Sequence, residues 1–113
     1  MNEEVFRDRV ADLRQLALDS LNRYAGGFAE LERIDRDLKS IIRSLEEVAD
    51  PSWTGSLLGQ WGELEIIYAL ALDDGRRYLT QDEEADVQGI VAELRDELQG
   101  YKLPPALDAG NGT

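Results

Sequence analysis

The sequence predicts an all-α, antiparallel four-helix bundle-like domain, and three observations carry that prediction. Apolar residues recur at steps of three and four in four segments, Gly and Pro punctuate the intervals, and no stretch shows the period-two alternation of a half-buried strand. At 113 residues, 42% of them hydrophobic, the chain is long enough to bury a core without a metal or disulfide staple. The expected helices span about 3–25, 28–49, 56–72 and 81–99. Together they form one helical domain over 1–101, followed by a disordered tail at 102–113 whose Pro104-Pro105 and Gly110-Asn111-Gly112 cannot continue a helix.

In the first segment Phe6, Val10, Leu13, Ala17, Ser20, Leu21 and Tyr24 share one helical face, with Asn2 as N-cap and Gly26-Gly27 as the stop. Ala17 and Ser20 are small enough to let a neighbour approach closely. In the second, Leu31, Ile34, Leu38, Ile41, Leu45 and Val48 build a narrow apolar seam of the coiled-coil kind. Proline excludes helical geometry from the residue before it, so Asp50-Pro51 ends this helix. The short Gly26-Gly27 link makes the two helices antiparallel neighbours.

The stretch Asp50-Pro51-Ser52-Trp53-Thr54-Gly55 reads as a turn, and the third helix is expected to begin at Ser56. Its first half is amphipathic, with Leu57, Leu58, Trp61 and Leu64 on one side. Its second half, Ile66 to Leu72, is apolar all round, which makes it the expected hub of the bundle, enclosed by neighbours. Asp73-Asp74-Gly75 ends it, and Arg76-Arg77-Tyr78-Leu79 forms a loop in which a salt bridge to Asp73 or Asp74 is expected. The fourth helix opens on a capping box, Thr80-Gln81-Asp82-Glu83, buries Val87, Ile90, Val91, Leu94 and Leu98, and stops at Gly100.

Composition removes several classes of function. There is no cysteine and no histidine, so thiol chemistry, zinc ribbons and the Glu-x-x-His pairs of helical di-metal sites are all absent. Asp73-Asp74-Gly75 lacks the ligand spacing of a calcium loop, and no P-loop, dinucleotide or nucleophile-elbow pattern occurs. The expectation is a protein without cofactor that is not an enzyme. Charges in Asn2 to Asp8 interrupt any secretory signal, and the longest apolar run falls far short of the roughly 20 residues of a membrane helix. A cytoplasmic location is therefore expected. A net charge of −12 repels phosphate-rich surfaces, so nucleic acid and anionic membrane are unexpected partners and a basic protein is the expected one.

Distribution sharpens that charge. Between Thr80 and Gly100 seven acidic residues stand against one basic residue, Arg95, so 21 residues carry half of the net charge. On a wheel of about 100° per residue, Asp82, Asp86, Glu93, Asp96 and Glu97 fall in one arc turned away from the buried face, with Gly89 at its middle. Asp82, Glu83 and Glu84 suit the helix dipole, whereas Glu93, Asp96 and Glu97 oppose it from the C-terminal end. The arc is therefore the candidate partner-binding surface: carboxylates steer a cationic partner, and the bare Gly89 admits it to the backbone. The ordinary alternative is a solvated outer face.

Three other residues stand out. Glu65 lies on the wheel between Leu72 and Leu58, inside the apolar stripe, as a perturbed acid or a structural glutamate bonded across the bundle. Trp61 shares the core stripe. Trp53, set in a Pro/Ser/Thr/Gly turn, is the expected exposed anchor and joins the partner-binding set.

The run Trp61-Gly62-Glu63-Leu64-Glu65-Ile66-Ile67-Tyr68-Ala69-Leu70-Ala71-Leu72-Asp73, then Leu79-Thr80, Glu83-Glu84, Val87, Ile90 and Leu94, resembles the small acidic all-helical immunity proteins of bacterial toxin–immunity pairs, over roughly Trp61 to Leu98. The resemblance implies stoichiometric binding of a cognate toxin, often a basic nuclease, through acidic residues that block its active site or substrate surface. Contact surfaces diverge among such proteins, so it assigns no individual residue. The alternative reading is a homo-oligomeric helical scaffold or regulatory adaptor that self-associates through the Leu31 to Val48 seam; monomer and homodimer are both compatible with the sequence.

Overall fold

The computed structural model describes residues 3–103, with side chains from Phe6 onward. Its elements are α1 (Glu3–Asn22), α2 (Phe28–Glu46), α3 (Pro51–Asp73) and α4 (Gln81–Gly100), with no strand among the described residues. The expected Asn2 cap and residues 104–113 of the expected tail lie outside the described residues.

Each helix packs against its chain neighbours, and α4 closes the ring on α1. The cross-helix hydrogen bonds fix the directions. Ser20 near the end of α1 meets Arg33 and Asp37 of α2; Trp61 of α3 donates to the Asp35 carbonyl of α2 at 2.9 Å while Tyr68, further along α3, donates to Glu32, earlier in α2, at 2.7 Å; and Ser56 near the start of α3 donates to Glu97 near the end of α4 at 2.8 Å. Successive helices are thus antiparallel, as their short links require. The core between them holds Leu21, Leu31, Ile34, Leu38, Leu57, Leu64, Val87 and Leu94, all at 1% exposure or less.

The ends of the helices depart from expectation for local reasons. At the end of α1, Tyr24 N–H bonds to the Leu21 carbonyl in a tightened turn, and Gly26 and Gly27 follow at φ of +100°. Gly27, at ψ 163°, sits in a region open essentially to glycine alone, so the chain leaves the helix three residues early to make this corner. At the end of α2, residues 47–49 form a comparable tight turn rather than helix.

The Asp50–Gly55 stretch is helix, not turn. Asp50 is an N-cap, its carboxylate accepting from the backbone and hydroxyl of Ser52 at 2.9 Å each, and Pro51 takes the first helical position, where its missing N–H costs nothing. This extension places Trp53 on the same inward face as Leu57, Trp61 and Leu64. Trp53 is 6% exposed and stacks on Tyr101 with centroids 3.7 Å apart and planes 11° from parallel, so it is a core residue and not an exposed anchor.

Three apolar expectations are also corrected. Phe6, expected on the buried face of α1, is half exposed. In α2 Ile42 is buried and Ile41 only partly so, because a step of four from Leu38 keeps the stripe between α1 and α3. The second half of α3 is not an enclosed hub: Ile66 is 60% exposed, Leu70 54% and Leu72 45%. A ring of four helices has no central member, so each helix retains an outer face, and on α3 that face is apolar.

The capping box forms as the sequence requires, with Thr80 Oγ1 accepting from Glu83 N–H at 3.1 Å and Glu83 Oε1 accepting from Thr80 N–H at 2.9 Å. Among the described residues no helix is long and apolar enough to cross a membrane.

Candidate acidic groove between α3 and α4

The acidic residues of α4 do not act as one stripe. Some are consumed by the fold. Glu83 takes two hydrogen bonds from the Arg76 guanidinium, at 2.8 and 3.0 Å, and Arg76 also bonds Asp74 and the Tyr78 carbonyl. The guanidinium first, and the Thr80 backbone N–H second, hold the Glu83 carboxyl down at about 2. The expected salt bridge of the loop is therefore made to Asp74, with Glu83 as the stronger partner.

Glu84 is also internal in purpose. Its two oxygens accept from the Gly27 backbone and the Tyr24 hydroxyl, both at 2.9 Å, and it pins the α1–α2 corner to the start of α4. Burial, the bond to Glu84 and that carboxylate's charge together push the Tyr24 phenol well above its ordinary range. Glu97 accepts from Ser56 and from Gln60, and so ties α4 to α3. Glu97, one of the expected partner-binding residues, is thus hydrogen-bonded within the fold.

Asp86, Gly89 and Glu93 remain, and the structure brings them together. They line an open groove of about 430 Å³ between α4 and α3, opposite Glu63, Ile66 and Ile67. From the bond between Gln60 and Glu97, one turn along each antiparallel helix brings Glu63 beside Glu93, and a further turn brings Ile67 beside Gly89 and Ile90. The groove thus has carboxylates at both ends, an apolar middle, and a floor left bare at Gly89, where an added Cβ would meet nothing within 4 Å. No basic residue lines it among the described residues. Leu70, one turn beyond Ile66 on α3, is also exposed.

Asp96 lies elsewhere. It lines a second recess, of about 610 Å³, with Glu93, Glu97, Trp53, Tyr101 and Lys102, so Glu93 is shared between the two. Asp82 is exposed in the first turn and lines neither.

Sequence reasoning missed the α3 wall of the groove. The signal was present, since Glu63 and Ile66 lie one turn apart and the all-round apolar half of α3 was one face richer than a ring of four needs. Glu65, expected inside the apolar stripe, is exposed; Leu72 and Leu58, which placed it there, are themselves 45% exposed and only partly buried. The strained carboxyl on that side is Asp35 of α2, pushed above its ordinary range by burial first and the Glu65 charge second, against the opposing pull of Lys39 and Trp61. Among the described residues no group of three or more His, Cys, Asp or Glu is placed to hold a metal ion.

Compared with known protein families, curated proteins and solved structures, the chain matches none.

Proposed function

We propose that this protein is a binding module that neutralises a basic protein partner, as an immunity-type inhibitor does a cognate toxin, by electrostatic docking on the α3/α4 side of the bundle. One observation supports this reading above the others. After the fold has used Glu83, Glu84 and Glu97, two of the four remaining α4 carboxylates, Asp86 and Glu93, still converge with Glu63 on an open groove with no cation in its lining among the described residues. Carboxylates lining one recess deepen its negative potential, which favours a cationic visitor. The exposed Ile66 beside them supplies apolar contact that a purely solvated face would not carry.

The alternative of self-association through the Leu31 to Val48 seam loses its surface, because Leu31, Ile34, Leu38 and Leu45 are at 1% exposure or less inside the bundle. A pull-down from the native cell at low and high salt tests the reading. A basic protein that is retained at low salt and released at high salt is expected, and a neutral or acidic partner would sink it.

A further inference from the structure

The spacing within the groove restricts the shape of what it can hold. Asp86 and Glu93 lie seven residues apart on α4, two helical turns or about 10 Å, and Gly89 is three residues from one and four from the other. Seven residues are also two turns of any helix laid alongside. A facing helix with cations seven apart would therefore meet a carboxylate at each end, and its side chain at the third or fourth position between them would fall over the one place where α4 has no side chain. Ile66 and Ile67 of α3 form the wall against which that side chain would pack. An extended strand has no comparable seat, since the described residues offer no sheet edge and a strand's two-residue repeat does not match the seven-residue step.

A second copy of the chain is a poor occupant. Two-fold pairing over this groove would set Glu63, Asp86 and Glu93 against their own equivalents, with no cation in the lining to offset them.

We infer that the α3/α4 groove is the seat of a basic amphipathic helix of the partner, carrying Lys or Arg at both ends of a seven-residue step and one large apolar side chain midway, over Gly89. Glu63 and Glu93, which line the same end of the groove, suit an arginine, whose planar fork offers several donors, and the Asp86 end takes either cation. This inference rests on the reading of the chain as a binder of a basic protein and adds the shape of the recognised element to it.

A displayed library of peptides about 20 residues long, built on a helix-favouring sequence, tests it against the intact protein. Enriched peptides should carry basic residues seven apart with Leu, Met or Trp three or four positions after the first. Replacing Gly89→Leu should weaken the best of them at least about tenfold by filling the floor. The same change should raise the melting temperature, since leucine is the better helix former and its Cβ meets no neighbour, so lost binding would not be lost folding. An Asp86→Gln/Glu93→Gln variant should lose affinity as well, together with much of the salt dependence. Failure to enrich any sequence, enrichment without the spacing, or a Gly89→Leu protein that binds as wild type would each overturn the seat. A wild-type dimer split by Gly89→Leu would overturn it in favour of a second copy. If the glutamine variant loses the peptides while Gly89→Leu retains them, the helical seat fails and electrostatic docking stands; if the glutamine variant binds as wild type at low salt, both fail.

Discussion

Replacing Glu84 by glutamine removes the charge from the residue that fastens the α1–α2 corner to α4. In the native arrangement one oxygen accepts from Gly27 N–H and the other from Tyr24 O–H, each at 2.9 Å. Glutamine fills the same volume but offers one acceptor and one donor group. One of the two native donors then faces an NH2, and the surviving bond becomes a neutral one. Hydrogen bonds to a charged acceptor contribute about 1.5–3 kcal/mol and neutral ones about 0.5–1.5, so with water reaching this part-buried site the net loss should be about 2 kcal/mol. The accompanying bond from Gln88, on the exposed side, adds only a few tenths. For a chain of this length about 2 kcal/mol corresponds to a fall of roughly 10 °C in melting temperature, read by circular dichroism. The Tyr24→Phe change should cost less by itself, and the double variant should fall short of the sum by about 1 kcal/mol, because the two residues share one bond. A glutamine variant melting with wild type, or fully additive changes, would refute the claim that Glu84 serves the fold rather than the surface.

Three further outcomes follow from the same geometry. The Glu83 carboxyl is held at about 2, below the ordinary glutamate value of 4.5, so its contribution to stability is complete above about pH 4.5 and is lost as pH falls through about 2; denaturant titrations should show that acid decline blunted in a Glu83→Gln variant. Gly89→Ala should stabilise the protein by about 1 kcal/mol in thermal melts, since this exposed mid-helix glycine has no positive φ and an added Cβ meets nothing. In a Trp61→Phe background Trp53 should resist iodide quenching, and adding Tyr101→Ala should open it to the quencher while lowering stability by about 1 kcal/mol for the lost stack.

Much of the fold is legible in the sequence because its signals are local. The Thr80/Glu83 capping box, the Gly26-Gly27 corner and the apolar steps of α4 act within a few residues of themselves and appear where the spacing places them, while the stripe of α2 differs only in burying Ile42 in place of Ile41. Asp50-Pro51 was ambiguous for a physical reason: proline excludes helix before it but favours helix after it, and with Asp50 as cap the second effect sets the start of α3. That shift of five residues turned Trp53 inward. The candidate site was half legible. Helical periodicity gathers Asp86, Gly89 and Glu93 on one flank, but only packing decides that the flank adjoins α3 and that Glu63 and Ile66 complete it. Nor does spacing within α4 reveal that Glu84 reaches Tyr24, 60 positions away, or that Glu97 is held by Ser56 and Gln60. Such pairings join separate helices, and a single sequence read along its length contains no trace of them.

If Glu63, Asp86 and Glu93 draw a basic partner to the α3/α4 groove, reversing their charge must slow its arrival. The association rate constant of the partner recovered at low salt, compared between wild type and a Glu63→Lys/Asp86→Lys/Glu93→Lys variant that leaves the fold-bearing Glu83, Glu84 and Glu97 untouched, measures this directly. Unchanged helicity is expected, with association slowed by tenfold or more at low salt and the two proteins converging as added salt screens the charge. Equal association rates at low salt would contradict it.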